Sequence, residues 1–168
     1  ILQTAVNDMG STYVAAVSAG SKISMFMCCP FDAMGSTMAT YGGQNVGARR
    51  LDRVDQGLKA CIKMGIIYAL VALAFSIVFG KQLALLFVKK EQIELIGYIY
   101  EFVVINAAFY IFLALVNIVR FMIQGLGYST FAILAGICEM IARSVAGFVL
   151  VPHFGFICVS LGSPLAWV

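Results

Sequence analysis

From Met64 to Gly80 the chain runs 17 residues without one charged side chain, and from Phe102 to Val119 it runs another 18. About 20 mostly apolar residues in a helix cross the hydrocarbon of a bilayer, whereas a helix on a water-soluble core keeps a polar face. The composition agrees, with 62% hydrophobic and 11% charged residues and a mean hydropathy of +0.98. Soluble domains carry about 25% charged residues. The chain reads as an all-α integral membrane protein, a polytopic bundle of transmembrane helices.

The spans are set by these runs and their interruptions. Tyr13 to Tyr41 is long enough to cross but contains Lys22, Pro30 and Asp32. Pro30 removes a backbone donor and is expected to kink the helix, while Lys22 lies where its stem can snorkel to a surface. Phe121 to Cys138 is also free of charge, but QGLGYST at its centre reads as a turn between helices. The next helix is expected from about Thr130 to Val151. Pro152, His153 and Gly155 end it, and Phe156 to Val168 starts another. Ala5 to Asp8 is expected to close an earlier helix before a turn at Met9-Gly10-Ser11. The count is about four full spans plus a truncated fifth. A chain starting at Ile1 and stopping at Trp167-Val168 inside an apolar run is read as an internal piece of a longer membrane protein.

Orientation follows from the basic residues. Arg49, Arg50, Arg53, Lys59 and Lys63 are five of the eleven, against Lys81, Lys89 and Lys90 in the next connection. The positive-inside rule counts Lys and Arg near span ends, so a loop over 46–60 is expected in the cytoplasm of a multi-pass plasma-membrane protein. The QGLG turn then falls on the same side, and the PHFG turn on the other.

Several function classes lack their residues. A net charge of +3 without basic–aromatic interleaving does not suit nucleic acid. Cys28, Cys29, Cys61, Cys138 and Cys158 show no CxxC pair and no histidine at ligand spacing, so no metal site is expected. No catalytic motif occurs, and GGQNVG lacks the Lys-Ser/Thr of a phosphate loop. Neither an enzyme nor a cofactor is expected.

Charged and amide side chains within spans are expensive and therefore informative. Glu139 and Arg143 stand at i and i+4 in the favourable order, Glu139 roughly 15 Å into its helix at 1.5 Å per residue. A self-neutralised structural pair and a proton-coupling site are equally open readings. Asp32 follows the Pro30 kink among small residues, where freed carbonyls and a carboxylate could hold a proton, sodium or a cationic substrate. Asn106, Tyr110 and Asn117 fall at i, i+4 and i+11, close to one face. Arg120 is expected to snorkel toward the cytoplasmic surface, and His153 to be a solvated loop residue.

GGQNVGARRLDRVDQGL resembles the stretch of multidrug and toxic compound extrusion (MATE) transporters in which a helix ends in QN-x-GA and a basic loop follows. MCCPFDAMGSTMATYGGQN, FMIQGLGYSTFAILAG and ICEMIARSVAGFVLVPHFGFICVSLGSPLAWV agree in order and spacing, so the likeness runs through essentially the whole chain. It implies a two-bundle antiporter fold, with residues 1–168 a fragment of the second six-helix bundle. It also implies export of drugs or other amphipathic organic cations in exchange for Na+ or H+, with lipid and the missing N-terminal bundle as partners. Gln44, Asn45, Gly47, Ala48, Arg49 and Arg50 would form its cytoplasmic loop motif. Two departures stand out. An acidic coupling residue of the family's first bundle lies outside this fragment, and the acid that some members carry midway along the helix before RG-x-G is replaced here by the Leu113, Leu115, Asn117 region, with Glu101 only at the start and the turn reading QGLG. Asp32 and Glu139 are the local substitutes. A flippase for lipid-linked sugar precursors, hinted at by Arg143, and a non-transporting membrane subunit are the alternatives.

Overall fold

The computed structural model describes residues 11–88 and 92–145, together with Ser160 and Pro164. They form helices α1 (Ser11–Gly47), α2 (Leu51–Leu85), α3 (Ile93–Ala108), α4 (Tyr110–Gly125) and α5 (Ser129–Val145). The described residues hold no strand. Two helices, α1 and α2, are each long and apolar enough to cross a membrane, and α3 with α4 passes the same test as one span bent by 51°. The chain is thus an all-helical membrane bundle. The expected turn at Met9-Gly10, the Lys89-Lys90-Glu91 loop, the PHFG turn with His153, Cys158 and nearly all of the truncated fifth span lie outside the described residues.

The longest departure from expectation is the basic loop. Residues 46–60 are mostly helix: α1 runs to Gly47, α2 starts at Leu51, and three residues join them. No breaker follows Arg50, and Asp55 pairs with Lys59 at 2.6 Å across one turn, so the charged segment continues α2 beyond its apolar run. Gln44, Asn45 and Gly47 are accordingly helical and not part of a loop. The turn itself is a Schellman closure, in which Arg49 N–H bonds Val46 O at 2.9 Å and Arg50 N–H bonds Asn45 O at 2.8 Å. Arg49, with φ 56°, holds the left-handed position usually given to glycine. The QGLG turn closes α4 the same way, with Gly127 at φ 93°.

Small residues bring the helices together. On α2 the buried positions are Cys61, Gly65, Ala69, Ala72, Ser76, Gly80 and Ala84, a stripe spaced by three or four that lets neighbouring backbones approach. Where α1 crosses the end of α4, a Cβ on Gly125 would stand 2.5 Å from Ala39 Cα. Between these contacts Phe31, Ala69, Tyr110 and Leu113 form the central core layer.

The break at Phe109 was not marked by glycine or proline. Phe109 has φ −98° and ψ 4°, and its N–H turns to Asn106 O at 3.1 Å. This splits the expected Phe102–Val119 span into two helices.

Candidate functional site

Pro30 lies inside α1, which stays helical through it. A proline cannot donate to the carbonyl one turn back and crowds it. The carbonyl left without a donor is that of Phe26, and the next one along, Met27 O, accepts from the Tyr68 hydroxyl of α2 at 3.0 Å. Phe31 is fully buried, edge-on to Tyr68 at 5.1 Å and to Tyr110 at 5.7 Å. Pro30 is thereby locked against α2 and α4, and the next residue round, Asp32, is turned outward.

Asp32 is exposed, and Asn117 of α4 donates to its Oδ1 at 2.9 Å. No basic side chain pairs with it among the described residues. It sits within a stripe. At 100° per residue, Ser18, Lys22, Cys29, Asp32, Ser36 and Thr40 project to one side of α1, and all six are exposed. Ser36, Thr37, Thr40, Tyr41 and Gln44 line an open groove of about 450 Å³ at its end. Thr37 and Thr40 spend their hydroxyl protons on Ala33 O (2.8 Å) and Ser36 O (3.2 Å), which leaves oxygen lone pairs toward the groove.

The other candidates are distributed differently from expectation. The bend at Phe109 places Asn106 on α3, away from the face shared by Asp32 and Asn117. Asn106 is 3% exposed and donates to Phe102 O at 2.8 Å and Ser160 O at 3.3 Å, tying the broken helix to a later part of the chain. Tyr110 is fully buried in the core. Its hydroxyl lies near Ser24 and Cys28, yet neither it nor Ser24 Oγ makes a hydrogen bond of good geometry. Glu139 and Arg143 do pair, at 2.5 Å, but Glu139 is also bound by Arg120 at 3.2 Å. Arg120 therefore has a partner on α5 that its place near the end of a span did not reveal. Gly136 makes room for it, since a Cβ there would stand 3.0 Å from Arg120 Nη2.

Sequence reasoning thus missed Arg120 and Tyr68 as organising residues, along with the polar stripe as a unit. The stripe had a signal, polar residues spaced by three or four from Cys29 to Thr40, with Lys22 and Ser18 continuing it after a gap of seven. Among the described residues no group of three metal-ligating side chains occurs.

Fold and site together define a polytopic membrane bundle with one polar helix face. The chain belongs to the MatE family, whose model matches residues 1–149. No curated protein matches it in sequence. Among solved structures it resembles a MATE in complex with MaL6 (TM-score 0.90, 19% identity, 99% of this chain and 38% of that one). It also resembles a MOP superfamily transporter from Pyrococcus furiosus Vc1 described as having a binding pocket of reverse polarity (TM-score 0.88, 17% identity, 99% and 37%). An inward-facing multidrug resistance MATE family transporter gives a TM-score of 0.84 at 18% identity, with 99% and 39% covered. The chain spans less than two fifths of each of these proteins.

Proposed function

We propose that residues 1–168 are part of the second bundle of a secondary transporter that exports drugs or other amphipathic organic cations by antiport with Na+ or H+. The observation that carries this reading is Asp32, a carboxylate exposed on the polar face of a membrane helix, held by one amide and by no base among the described residues. An acid so placed keeps an oxygen for a proton, a sodium ion or an organic ammonium. The face that bears it is the wall this bundle would turn toward the missing N-terminal bundle, with the basic α1–α2 turn in the cytoplasm. The likeness to both an outward-facing transporter (TM-score 0.88) and an inward-facing one (TM-score 0.84) supports a bundle that moves as a body while its partner rocks against it. Tyr110 and Asn106 support this wall from within the core, and Glu139 with Arg143 braces α5.

In the full-length protein, Asp32→Asn is expected to lower export of an organic cation by tenfold or more, about 1.4 kcal/mol of lost stabilisation, with unchanged amounts in the membrane. Asn117→Ala should give a smaller loss of the same kind. Undiminished export by Asp32→Asn defeats the assignment. A flippase for lipid-linked sugar precursors remains the second reading, favoured by the two arginines around Glu139. It requires anionic-lipid translocation that survives Asp32→Asn and fails with Arg143→Gln.

A further inference from the structure

A second feature lies between α4 and α5, apart from the Asp32 face. An apolar groove of about 380 Å³ is lined by Leu115, Val119, Arg120 and Ile123 of α4 and by Phe131 and Ala132 of α5, among others. Arg120 is the charged residue in its wall. Its guanidinium and that of Arg143 converge on the single carboxylate of Glu139, at 3.2 and 2.5 Å. Each guanidinium has five N–H donors and is always charged. Glu139 takes one N–H from each in these contacts, so the cluster keeps spare donors and at least one net positive charge. The three side chains are 33%, 22% and 46% exposed, open enough to be approached.

The depth of the cluster can be read from the packing. A Cβ on Gly65 would meet Ile118 at 3.1 Å and Ala114 at 3.3 Å, and Ile118 shares a core layer with Cys61, packed on by Leu58, Ile62 and Met122. Arg120 lies between Ile118 and Met122 in sequence, so it is level with the segment of α2 from Leu58 to Gly65. That segment holds Lys59 and Lys63, the last charges before the run from Met64 to Gly80. Arg120 is thus at the boundary between hydrocarbon and headgroups, on the side of the basic turn. The outer surface beside it, with Ile133, Leu134 and Met140 more than half exposed, suits lipid tails.

We propose that this groove holds an anionic phospholipid, its phosphate against the Arg120 guanidinium and one acyl chain running deeper along Leu115, Val116 and Val119. The charge, the depth and the apolar walls match the three parts of such a molecule: a basic pocket between helices at headgroup level binds an acidic headgroup. Bidentate guanidinium geometry suits phosphate in particular. The site does not depend on the cation-antiport reading of the Asp32 face.

The test uses the full-length protein purified in detergent, offered dioleoylphosphatidylglycerol or dioleoylphosphatidylcholine and read by native mass spectrometry. The unsubstituted protein should retain the phosphatidylglycerol in preference. Arg120→Gln should reduce that preference about fivefold, and Arg120→Lys should keep part of it. Equal retention of both lipids, an unchanged preference in Arg120→Gln, or displacement by inorganic phosphate alone would each overturn the proposal. Should Arg120→Gln not fold, Val119→Trp keeps both arginines. Its added fluorescence should be quenched by brominated phosphatidylglycerol more than by brominated phosphatidylcholine. Quenching by neither shows that another segment of the full-length chain covers the groove, and the proposal fails.

Discussion

The two long helices have nearly the same length and opposite outer faces. α2 turns its small residues inward and shows Ile67, Leu70, Val71 and Val78 outward, each at least half exposed. α1 shows Ser18, Lys22, Cys29, Asp32, Ser36 and Thr40, with Met25 and Phe26 exposed where the row is interrupted. In water the α2 face would be the costly one. In hydrocarbon the order reverses: exposed isoleucine and leucine are at home, while a row of hydroxyls, a carboxylate and an ammonium is not. The difference teaches which side of the bundle meets lipid and which must meet water or other protein.

The sharpest way to break that comparison is to place an acid on the wrong helix. Leu70→Asp puts a carboxylate on the lipid face of α2, near the middle of its apolar run. An aspartate at a span centre costs about 2.5–3.5 kcal/mol on insertion scales. The full-length variant should therefore show membrane-inserted protein reduced by an order of magnitude or more, read as the glycosylated or protease-protected fraction. Asp32→Leu, the reverse change on α1, should insert normally and lose export. Equal insertion of Leu70→Asp and the parent would mean that α2 does not face lipid there.

A smaller effect separates how the two helices are held. A Cβ on Gly125 would stand only 2.5 Å from Ala39 Cα, a backbone atom that cannot step aside without moving α1. A Cβ on Gly80 would stand 2.9 Å from Tyr100 Cδ2, the edge of a side chain that can rotate. Overpacking a core typically costs 1–3 kcal/mol. Gly125→Ala is expected at the upper end, lowering the melting temperature of the purified protein by several degrees, and Gly80→Ala clearly less. If the two variants melt alike, the α1–α4 contact is not the tighter one.

Much of this arrangement was legible in the sequence, for physical reasons that differ by element. The apolar runs could only be spans, and QGLG could only be a turn, because a left-handed residue is needed there and Gly127 supplies it. The α1–α2 turn misled because its left-handed residue is Arg49. The glycines nearby serve packing instead: a Cβ on Gly43 would lie 3.0 Å from Gly125 O. The charges of Arg53 to Lys63 suggested a loop, yet charges spaced four apart are equally a water-facing helix. The bend at Phe109 left no trace, since nothing in NAAFYIF breaks a helix by itself. The residues before it are tied to a later part of the chain through Asn106 and Ser160, a contact no local pattern announces. In the candidate site, Asp32 was visible as a charge in a span, but its partner Asn117 lies 85 residues away and no local pattern pairs them. Arg120 was visible as a charge near a span end, but only the position of α5 makes Glu139 its partner.

The finest test of the comparison uses chemistry the chain already has. Cys29 lies on the polar stripe of α1 one turn before Asp32 and is exposed, while its thiol donates only to Met25 O at 3.3 Å. Methanethiosulfonate reagents attack the thiolate, which forms where water is present and not in hydrocarbon. In the full-length protein in its membrane, a positively charged reagent of this kind should label Cys29 readily, with Cys29→Ser as the control. Val71→Cys, at an exposed position of α2, should stay unlabelled in that Cys29→Ser background. An organic cation that occupies the α1 face should slow the labelling of Cys29, and Asp32→Asn should remove that protection, since the carboxylate is what would hold the cation near the thiol. Equal labelling at the two positions would mean that exposure on α1 is no wetter than exposure on α2. The polar stripe would then be a surface for packing against other helices, and Asp32 a buried partner in the full-length molecule.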